Sequence, residues 1–245
     1  MKRILGIIPA RSGSKGLKNK NIKIFAGKPL IYWTIKEAKK VKNINKLIVS
    51  TDSRKIATIA QKYNVEVPFL RPKDISKDHS SSFELVRHAV NYYKKKKIFF
   101  DYLVLLEPTS PLRTSKDINY CIKFIKKNKI KSLVSVCKVK SQHPANLLKI
   151  RKNRKLNLTK NKFIPRRQML ENFFYPEGSI YISKINLIMR TRTFYNKETC
   201  IVTFPDWKSF EIDDIIEYCL ITELASNQSE ENIAELELYG SPSIS

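Results

Sequence analysis

Short apolar runs alternate with amphipathic stretches through the first 140 residues. Five of these runs have the length and composition of buried strands, at residues 3–9, 46–50, 65–70, 102–106 and 133–138. Between them, apolar residues recur at helical spacing and predict helices at residues 30–41, 54–63, 83–93 and 116–127. Strands that alternate with helices in this way favour right-handed crossovers. The pattern therefore predicts an open, doubly wound α/β fold with a mainly parallel sheet covered on both faces.

The alternation stops at residues 143–174, where polar and basic residues dominate. This segment is predicted to be an inserted arm or a small β subdomain. The sheet pattern resumes at residues 178–183, and a last helix is expected at residues 213–225. The division that follows is an α/β domain of residues 1–142 and 175–228, the arm between its two parts, and a polar tail, residues 229–245, that we expect to be mobile.

The chain carries 47 Lys and Arg against 22 Asp and Glu, a formal net charge of +25. Such an excess is typical of nucleic-acid binding. However, the cations are spread along the whole chain and lack the interleaved aromatic residues of a single-strand binding surface. A bias in composition therefore explains the charge better than a nucleic-acid partner does.

The sequence predicts neither export nor a membrane partner. The N-terminal apolar run, residues 4–10, is cut short by Arg11, and no stretch approaches the ~18–20 apolar residues of a membrane span. The four cysteines lie far apart and form no C-x-x-C pair, which argues against a zinc ribbon or a disulfide framework. We therefore expect a cytoplasmic protein with reduced, mostly buried thiols.

The segment 9–21 follows the first strand directly, at the sheet edge where doubly wound folds bind ligands. Its two glycines allow the backbone to approach a ligand closely, and consecutive N–H groups together with Arg11, Lys15 and Lys20 would neutralise a triphosphate. The spacing fits neither the Walker A motif nor G-x-G-x-x-G. The segment is predicted to be a phosphate loop, with an exposed basic turn as the alternative.

Residues 8–17 read I-P-A-R-S-G-S-K-G-L, and Lys20 and Asn21 follow. This resembles the signature loop of the CMP-sialic acid synthetases, also called acylneuraminate cytidylyltransferases, and the resemblance extends over about residues 3–225. It implies a Rossmann-like nucleotidyltransferase fold in which the 2-hydroxyl of a nine-carbon 2-keto sugar acid attacks the α-phosphorus of CTP, giving CMP-sugar and pyrophosphate. It also implies a homodimer in which the arm reaches the neighbouring pocket. Within the loop it assigns phosphate binding to Arg11, Ser14, Lys15 and Lys20, and nucleoside binding to Asn21.

A second segment combines Arg71 with the serines at residues 80–82. Ser81-x-x-Glu84 before an apolar run is a capping box, which predicts the start of a helix. A helix N-terminus beside Arg71 also suits an anion or a carbonyl group. The resemblance places the cytosine and ribose contacts here and assigns nucleotide binding to Arg71, Ser80 and Ser82.

Residues 105–113 read L-L-E-P-T-S-P-L-R and resemble the family's L-L-Q-P-T-S-P-L-R. Two prolines stiffen the loop, and Thr109, Ser110 and Arg113 offer hydroxyls and a guanidinium suited to a carboxylated polyol. Glu107 stands where Gln is usual, next to the acceptor sugar. A carboxylate there accepts from sugar hydroxyls or an amino group but cannot donate as an amide does. The identity of the sugar is therefore open.

The remaining matches lie near the C-terminus. The resemblance maps Arg167, Gln168 and Tyr181 to the acceptor pocket, where Glu177 replaces the usual Asn. It also maps Asp213 and Glu211 to a metal-binding element, with Glu211 in place of the usual Asp. Carboxylates at this spacing project to one face of an extended segment and can hold Mg²⁺, the expected cofactor. Asp213 and Asp214 also suit the start of a helix.

The resemblance assigns the central role in catalysis to Arg11, Lys15 and Asp213. Phosphoryl-type transfer depends chiefly on positioning and electrostatics. Two other hypotheses remain. One is a sugar nucleotidyltransferase of the same fold with another acceptor, such as legionaminic, pseudaminic or Kdo sugar, although the S-K-G-L…K-N loop argues against Kdo. The other is a basic nucleic-acid-binding protein without catalysis.

Overall fold

A computed structural model describes residues 2–14, 16–77, 80–139, 143–150, 156–158 and 170–226. The strands in this part of the chain are β1 (Ile4–Pro9), β2 (Ile24–Phe25), β3 (Lys28–Pro29), β4 (Lys46–Ser50), β5 (Tyr102–Leu105), β6 (Ser132–Lys138), β7 (Leu148–Ile150), β8 (Leu156–Leu158), β9 (Phe174–Lys184) and β10 (Thr199–Thr203). The helices are α1 (Leu30–Lys39), α2 (Arg54–Lys62), α3 (Ser82–Lys95), α4 (Ser115–Lys127), α5 (Ile185–Thr191) and α6 (Ile215–Ser226).

Six strands form the central sheet, in the order β10-β6-β9-β5-β1-β4. Strand β1 pairs in parallel with β4 and β5, and β10 pairs in parallel with β6. Only β9 runs antiparallel to its neighbours in this sheet. Its direction follows from its entry point, because the chain leaves β6 at Lys138 and returns opposite it at Phe174, at the same edge. The predicted mainly parallel α/β fold is confirmed.

Side chains of β1 alternate between two cores, one on each face of the sheet. Ile4 and Ile8 cluster with apolar residues of α1, α2 and α4. Leu5 and Ile7 cluster with apolar residues of α3 and α5. All four side chains are fully buried, and each contributes about 1.5–3 kcal/mol by leaving water. Burial on both faces explains why the strand reads as a continuous apolar run.

The four predicted N-terminal helices are confirmed to within two residues at each end, and two of them begin with capping boxes. In α3, Ser81 and Glu84 form the predicted box, and in α4, Thr114 and Asp117 form a second one. The strand predicted at residues 65–70 is wrong, because only two isolated bridges form there, at Glu66 and Leu70. A proline, Pro68, lies between them and has no N–H to donate to a ladder.

The C-terminal part differs from its prediction in three elements. Helix α5 and strand β10 were not predicted, and α6 begins at Ile215, two residues later than expected, because Asp214 caps it. Of the four free cysteines, Cys121 and Cys137 are buried, whereas Cys200 and Cys219 are exposed.

Within the predicted arm, β7 and β8 pair antiparallel, with Leu148 opposite Leu158. Most of the arm and the tail, residues 229–245, lie outside the described residues, so the domain boundaries stay predictions. No helix in the described part of the chain has the length and apolar character needed to cross a membrane.

Candidate active site

A cavity of about 740 Å³ opens at the carboxyl ends of the parallel strands. Its walls come from the loop after β1, the segment before α3, the end of β5, strand β9 and the residues before α6. This is the edge at which doubly wound folds bind ligands. The predicted site residues that line the cavity are Arg11, Ser14, Lys20, Asn21, Arg71, Ser80, Ser82, Glu107, Thr109, Tyr181, Glu211 and Asp213.

The remaining site predictions divide into two groups. Lys15, Arg167 and Gln168 lie outside the described residues, and their roles stay predictions. Ser110 and Arg113 are described, but neither lines the cavity.

Arg71 forms part of a cationic wall with Arg11 and Lys20. Its side chain is buried, its backbone N–H donates to the Thr51 carbonyl oxygen (2.7 Å), and its Nε donates to Ser76 Oγ (2.9 Å). Burial lowers the pKa of Arg71, and nearby carboxylates oppose that shift. The guanidinium nevertheless stays charged, since arginine does not deprotonate in proteins.

The loop between β1 and β2 is shaped by short polar contacts. Asn21 is buried and its Nδ2 donates to the Arg11 carbonyl oxygen (2.9 Å). A Cβ added at Gly16 would lie 2.3 Å from the Asp213 carbonyl oxygen. Glycine is therefore required at position 16 for the phosphate loop to approach the segment before α6.

Lys20 and Asp213 join these two segments through an ion pair, with Nζ 2.5 Å from Oδ1. The Asp213 side chain is 62% exposed, so the pair contributes little to stability, less than about 1 kcal/mol. Its neighbour Asp214 has a different role, since its Oδ1 accepts from the backbone N–H groups of Ile216 (2.8 Å) and Glu217 (2.9 Å). The helix cap is thus Asp214, while the Asp213 carboxylate faces the cavity and Lys20.

The opposite wall carries the carboxylates of Glu107 and Glu211. Burial raises the pKa of Glu107 to about 7, although Lys20, Arg113 and Arg71 favour its charged form. Burial and the nearby Asp213 raise the pKa of Glu211 to about 8. No described residue donates a hydrogen bond to the Glu107 carboxylate, whereas its backbone oxygen accepts from Arg113. The Glu107 carboxylate is therefore available to a ligand.

Glu211 owes its position to a glycine in β9. Gly178 has a φ of +74°, and a Cβ there would lie only 1.4 Å from Glu211 Oε1. Any other residue at position 178 would displace the carboxylate and strain the backbone.

Arg113 supports the wall from behind the cavity, and its predicted sugar contact stays a prediction. The side chain is buried; Nη1 donates to the carbonyl oxygens of Glu107 (3.0 Å) and Ser179 (2.7 Å), and Nη2 donates to Thr34 Oγ1 (2.6 Å). These three acceptors come from α1, the end of β5 and β9, so the guanidinium ties three elements together. Ser110 is likewise fully buried behind the cavity.

Glu177 lies beside Arg113, also behind the cavity. It is buried and its Oε1 accepts from Ser179 Oγ (2.5 Å). Burial raises the pKa of Glu177, and Arg113 opposes this shift. Because an isolated charge in the interior is costly, each of these two groups compensates the other.

Tyr181 and Thr109 complete the wall that carries Glu107 and Glu211. The Tyr181 hydroxyl accepts from the Tyr195 hydroxyl (3.4 Å), and burial raises the pKa of Tyr181, so it is neutral at physiological pH. The Thr109 carbonyl oxygen accepts from Ile212 N–H (2.8 Å), which fixes the segment carrying Glu211 and Asp213 against the loop after β5.

Several lining residues were not predicted from the sequence, among them Ser76 and Lys77. They lie in a short turn after Arg71 that carries no recognisable motif, and the role of Ser76 is visible only in the structure, where its Oγ accepts from the Arg71 guanidinium.

The fit of the site to Mg²⁺ rests on Asp213 and Glu211. The described residues include no group of three or more metal-ligating side chains. Mg²⁺ in nucleotide enzymes is commonly held by one or two carboxylates, with substrate phosphates and water completing the shell. Two carboxylates beside a cationic phosphate loop therefore fit an ion that arrives with a nucleotide.

Comparison with solved structures defines the fold class. The structure of a CMP:2-keto-3-deoxy-manno-octonic acid synthetase complexed with CTP superposes with a TM-score of 0.68 at 14% identity, covering 93% of this chain and all of that one. A cytidylyltransferase from Leptospira borgpetersenii superposes with a TM-score of 0.58 at 18% identity, covering 94% of this chain and 90% of that one. The fold is that of the nucleotidyltransferases.

Sequence comparison gives the family. Residues 5–238 match the cytidylyltransferase family model. The chain is 36% identical to the CMP-N,N'-diacetyllegionaminic acid synthase of Legionella pneumophila, covering 91% of this chain and 96% of that protein. It is 32% identical to the N-acylneuraminate cytidylyltransferase of Escherichia coli, covering 97% of this chain but 55% of that longer protein. The chain belongs to the cytidylyltransferase family, in its CMP-sialic acid synthetase branch.

Proposed function

We propose that the protein transfers CMP from CTP to the 2-hydroxyl of a nine-carbon 2-keto sugar acid and releases pyrophosphate. The observation that carries this proposal is that one cavity joins a cationic phosphate loop to a carboxylate-bearing wall, in a chain of this family. Relatives named for N,N'-diacetyllegionaminic acid, N-acylneuraminate and pseudaminic acid support an acceptor of the nonulosonic class. The need for CTP supports a cytoplasmic location.

The cationic wall would bind the triphosphate. Arg11, Lys20 and Arg71 would neutralise charge that develops as the oxygen of the sugar bonds to the α-phosphorus and the bond to the β-phosphate oxygen breaks. The sugar hydroxyl gives up its proton to solvent water in this step, and pyrophosphate leaves. Asn21, Ser80 and Ser82 would seat the nucleoside, with Ser14 and Lys15 adding phosphate contacts.

The carboxylates beside the phosphate loop would hold the cofactor. Asp213, with Glu211, would bind Mg²⁺, which when bound neutralises triphosphate oxygens. Lys20 keeps the Asp213 carboxylate beside the phosphate loop.

The acceptor would lie against Glu107, Thr109 and Tyr181, with Arg167 and Gln168 as further contacts. Glu107 would accept hydrogen bonds from hydroxyl or amino groups of the sugar. Arg113 and Ser110 would shape this pocket from behind.

A homodimer is part of the proposal. Leu147 and Phe173 lie near the two ends of the inserted arm and Tyr175 directly follows it, and all three are exposed, with 53%, 41% and 44% of their surface accessible. Exposed apolar residues mark a contact surface where they form one contiguous patch. We propose that they pack against a second copy, which light scattering on the purified protein would test.

The test is a pyrophosphate-release assay with CTP, Mg²⁺ and N-acetylneuraminic, legionaminic, pseudaminic or Kdo acid in parallel. Release with at least one nonulosonic acid, and not with Kdo or without sugar, is expected. Absence of release with all four sugars, together with salt-sensitive binding to an oligonucleotide, would favour the non-catalytic nucleic-acid binder.

A further inference from the structure

Asp52 lies directly after β4, behind the phosphate loop, and does not line the cavity. Its carboxylate receives two hydrogen bonds from one loop residue: Ser12 N–H donates to Oδ1 (2.9 Å) and Ser12 Oγ donates to Oδ2 (2.7 Å). Charge-assisted bonds of this kind are shorter and stronger than bonds between neutral groups. Asp52 therefore fixes the start of the loop, one residue after Arg11.

The turn after β4, residues 51–53, also holds the segment that carries Arg71. The carbonyl oxygen of Thr51 accepts from the Arg71 backbone N–H (2.7 Å). The negative charge of Asp52 favours the charged form of the Arg71 guanidinium, whereas the positive charge of Arg11 disfavours it. The turn itself is stabilised, because Thr51 Oγ1 accepts from Ser53 N–H (3.1 Å) and Ser53 caps α2.

Arg11 and Arg71 repel each other, and the charge of Asp52 offsets part of this repulsion at Arg71. Asp52 lies behind the loop and therefore does so without occupying the space of the phosphates. A loop that is held in its bound conformation costs less entropy to order when the ligand arrives.

We propose that Asp52 is a positioning residue that holds the phosphate loop and Arg71 in register before CTP binds. The proposal rests on the function proposed above, in that the ligand it prepares for is the triphosphate of CTP. Asp52 itself touches no reacting atom.

The test compares Asp52→Ala with Asp101→Ala. Asp101 is a matched control, because its carboxylate accepts a hydrogen bond from the backbone N–H of Arg3 (2.7 Å) at the opposite edge of the sheet. The first measurement is hydrogen–deuterium exchange of the protein without ligands. We expect faster exchange in peptides covering residues 10–20 for Asp52→Ala only, with the Asp101→Ala effect confined to the region of Arg3.

The second measurement separates KM from kcat. Asp52→Ala is expected to raise the KM for CTP about fivefold or more and to change the KM for the sugar less than about twofold. Asp52→Asn, which keeps one acceptor oxygen, should recover part of the loss, and Asp101→Ala should match the wild type.

Two results would overturn the proposal: unchanged exchange over residues 10–20 in Asp52→Ala, or equal increases in both KM values. A wild-type protein that is inactive with every sugar would refute the proposed function instead. In that case the exchange measurement, repeated with CTP and Mg²⁺, still tests Asp52, since weaker protection of the loop by CTP in Asp52→Ala would support it and equal protection would refute it.

Discussion

The two walls of the cavity differ in charge and in how closely they follow the family motifs. The cationic wall, which is the nucleotide wall of the proposed function, presents Arg11, Lys20 and Arg71 and agrees with the family motifs at each of these positions. The opposite wall, which is the acceptor wall of the proposed function, carries Glu107 and Glu211, with Glu177 behind them. The family motifs have Gln in place of Glu107, Asp in place of Glu211 and Asn in place of Glu177. All three departures lie on one side. We therefore expect the contacts of the cationic wall to CTP to follow the family, whereas Glu107 would alter recognition of the acceptor and Glu211 would alter the metal site.

The carboxylates of the acceptor wall pose an electrostatic problem, because the expected sugar is itself an anion. Two features reduce the repulsion at Glu107. Lys20, Arg113 and Arg71 favour its charge, while burial raises its pKa to about 7, so near neutrality part of the population is protonated. A protonated carboxyl can donate a hydrogen bond as well as accept one.

Among the variants that test this difference between the two walls, removal of a cation from the nucleotide wall is expected to have the largest effect. We expect Arg11→Ala to lower kcat/KM by about 2–4 kcal/mol of transition-state stabilisation, because a charge contact to the transferring phosphate is lost. Arg190→Ala is the control, since Arg190 pairs with Glu198 on the surface. Steady-state kinetics of both variants give the answer, and similar losses in the two would contradict the assignment of the wall.

The sequence predicts that Arg11 and Lys20 lie at the cavity because both belong to one short loop directly after a strand, whereas Arg71 lies in a separate segment. The loop, its preceding strand and its glycines are local features, and periodicity likewise predicts α1–α4. The direction of β9 could not be predicted, because an apolar run reads the same in either direction. The buried position of Arg113 could not be predicted for a related reason: its motif fits a sugar contact, but two acceptors of its N–H groups, Thr34 Oγ1 and the Ser179 carbonyl oxygen, are distant in sequence.

Exchange of Asp213 for Asn tests the junction between the two walls. Asp213→Asn is expected to reduce turnover severely and to raise the Mg²⁺ concentration needed for half-maximal activity, because one charged oxygen ligand is lost. Asp214→Asn should leave the Mg²⁺ titration unchanged and lower the unfolding free energy by at most about 0.5–2 kcal/mol through the helix cap. Identical Mg²⁺ titrations for the wild type and Asp213→Asn would mean that Asp213 does not bind the metal.

Restoration of the amide at position 107 tests the acceptor wall alone. Glu107→Gln is expected to change the ratio of kcat/KM between N-acetylneuraminic acid and its deoxygenated bacterial analogues by about tenfold, or ~1.4 kcal/mol, with the KM for CTP nearly constant. Pairs of sugars compete at saturating CTP in this assay. A constant ratio, or a defect confined to CTP, would remove Glu107 from the acceptor pocket.

The smallest effect is expected in thermal stability. Without any ligand, the Tm of the wild type compared with that of Glu107→Gln reports the charge state of Glu107. Burial raises the pKa of Glu107 from 4.5 to about 7 in the folded protein. The folded state therefore holds the proton more tightly than the unfolded state, so the favourable contribution is complete below pH 4.5 and is lost as pH rises through about 7. The amide introduced by Glu107→Gln has no such proton to lose.

We expect the Tm of the wild type, relative to Glu107→Gln, to fall between pH 5 and pH 8. Because Glu107 lines an open cavity and is partly screened by solvent, we expect only about 1 kcal/mol, or about 2–4 °C. Glu198→Gln is the control, because a hydrogen bond from Lys131 lowers the pKa of the half-buried Glu198 carboxyl. The contribution of Glu198 is therefore constant over this range and is lost only at lower pH. Parallel Tm curves for the wild type and Glu107→Gln would show that Glu107 is already charged at pH 5. Glu107 would then face the anionic sugar as a carboxylate, with Lys20, Arg113 and Arg71 as the cations that offset its charge.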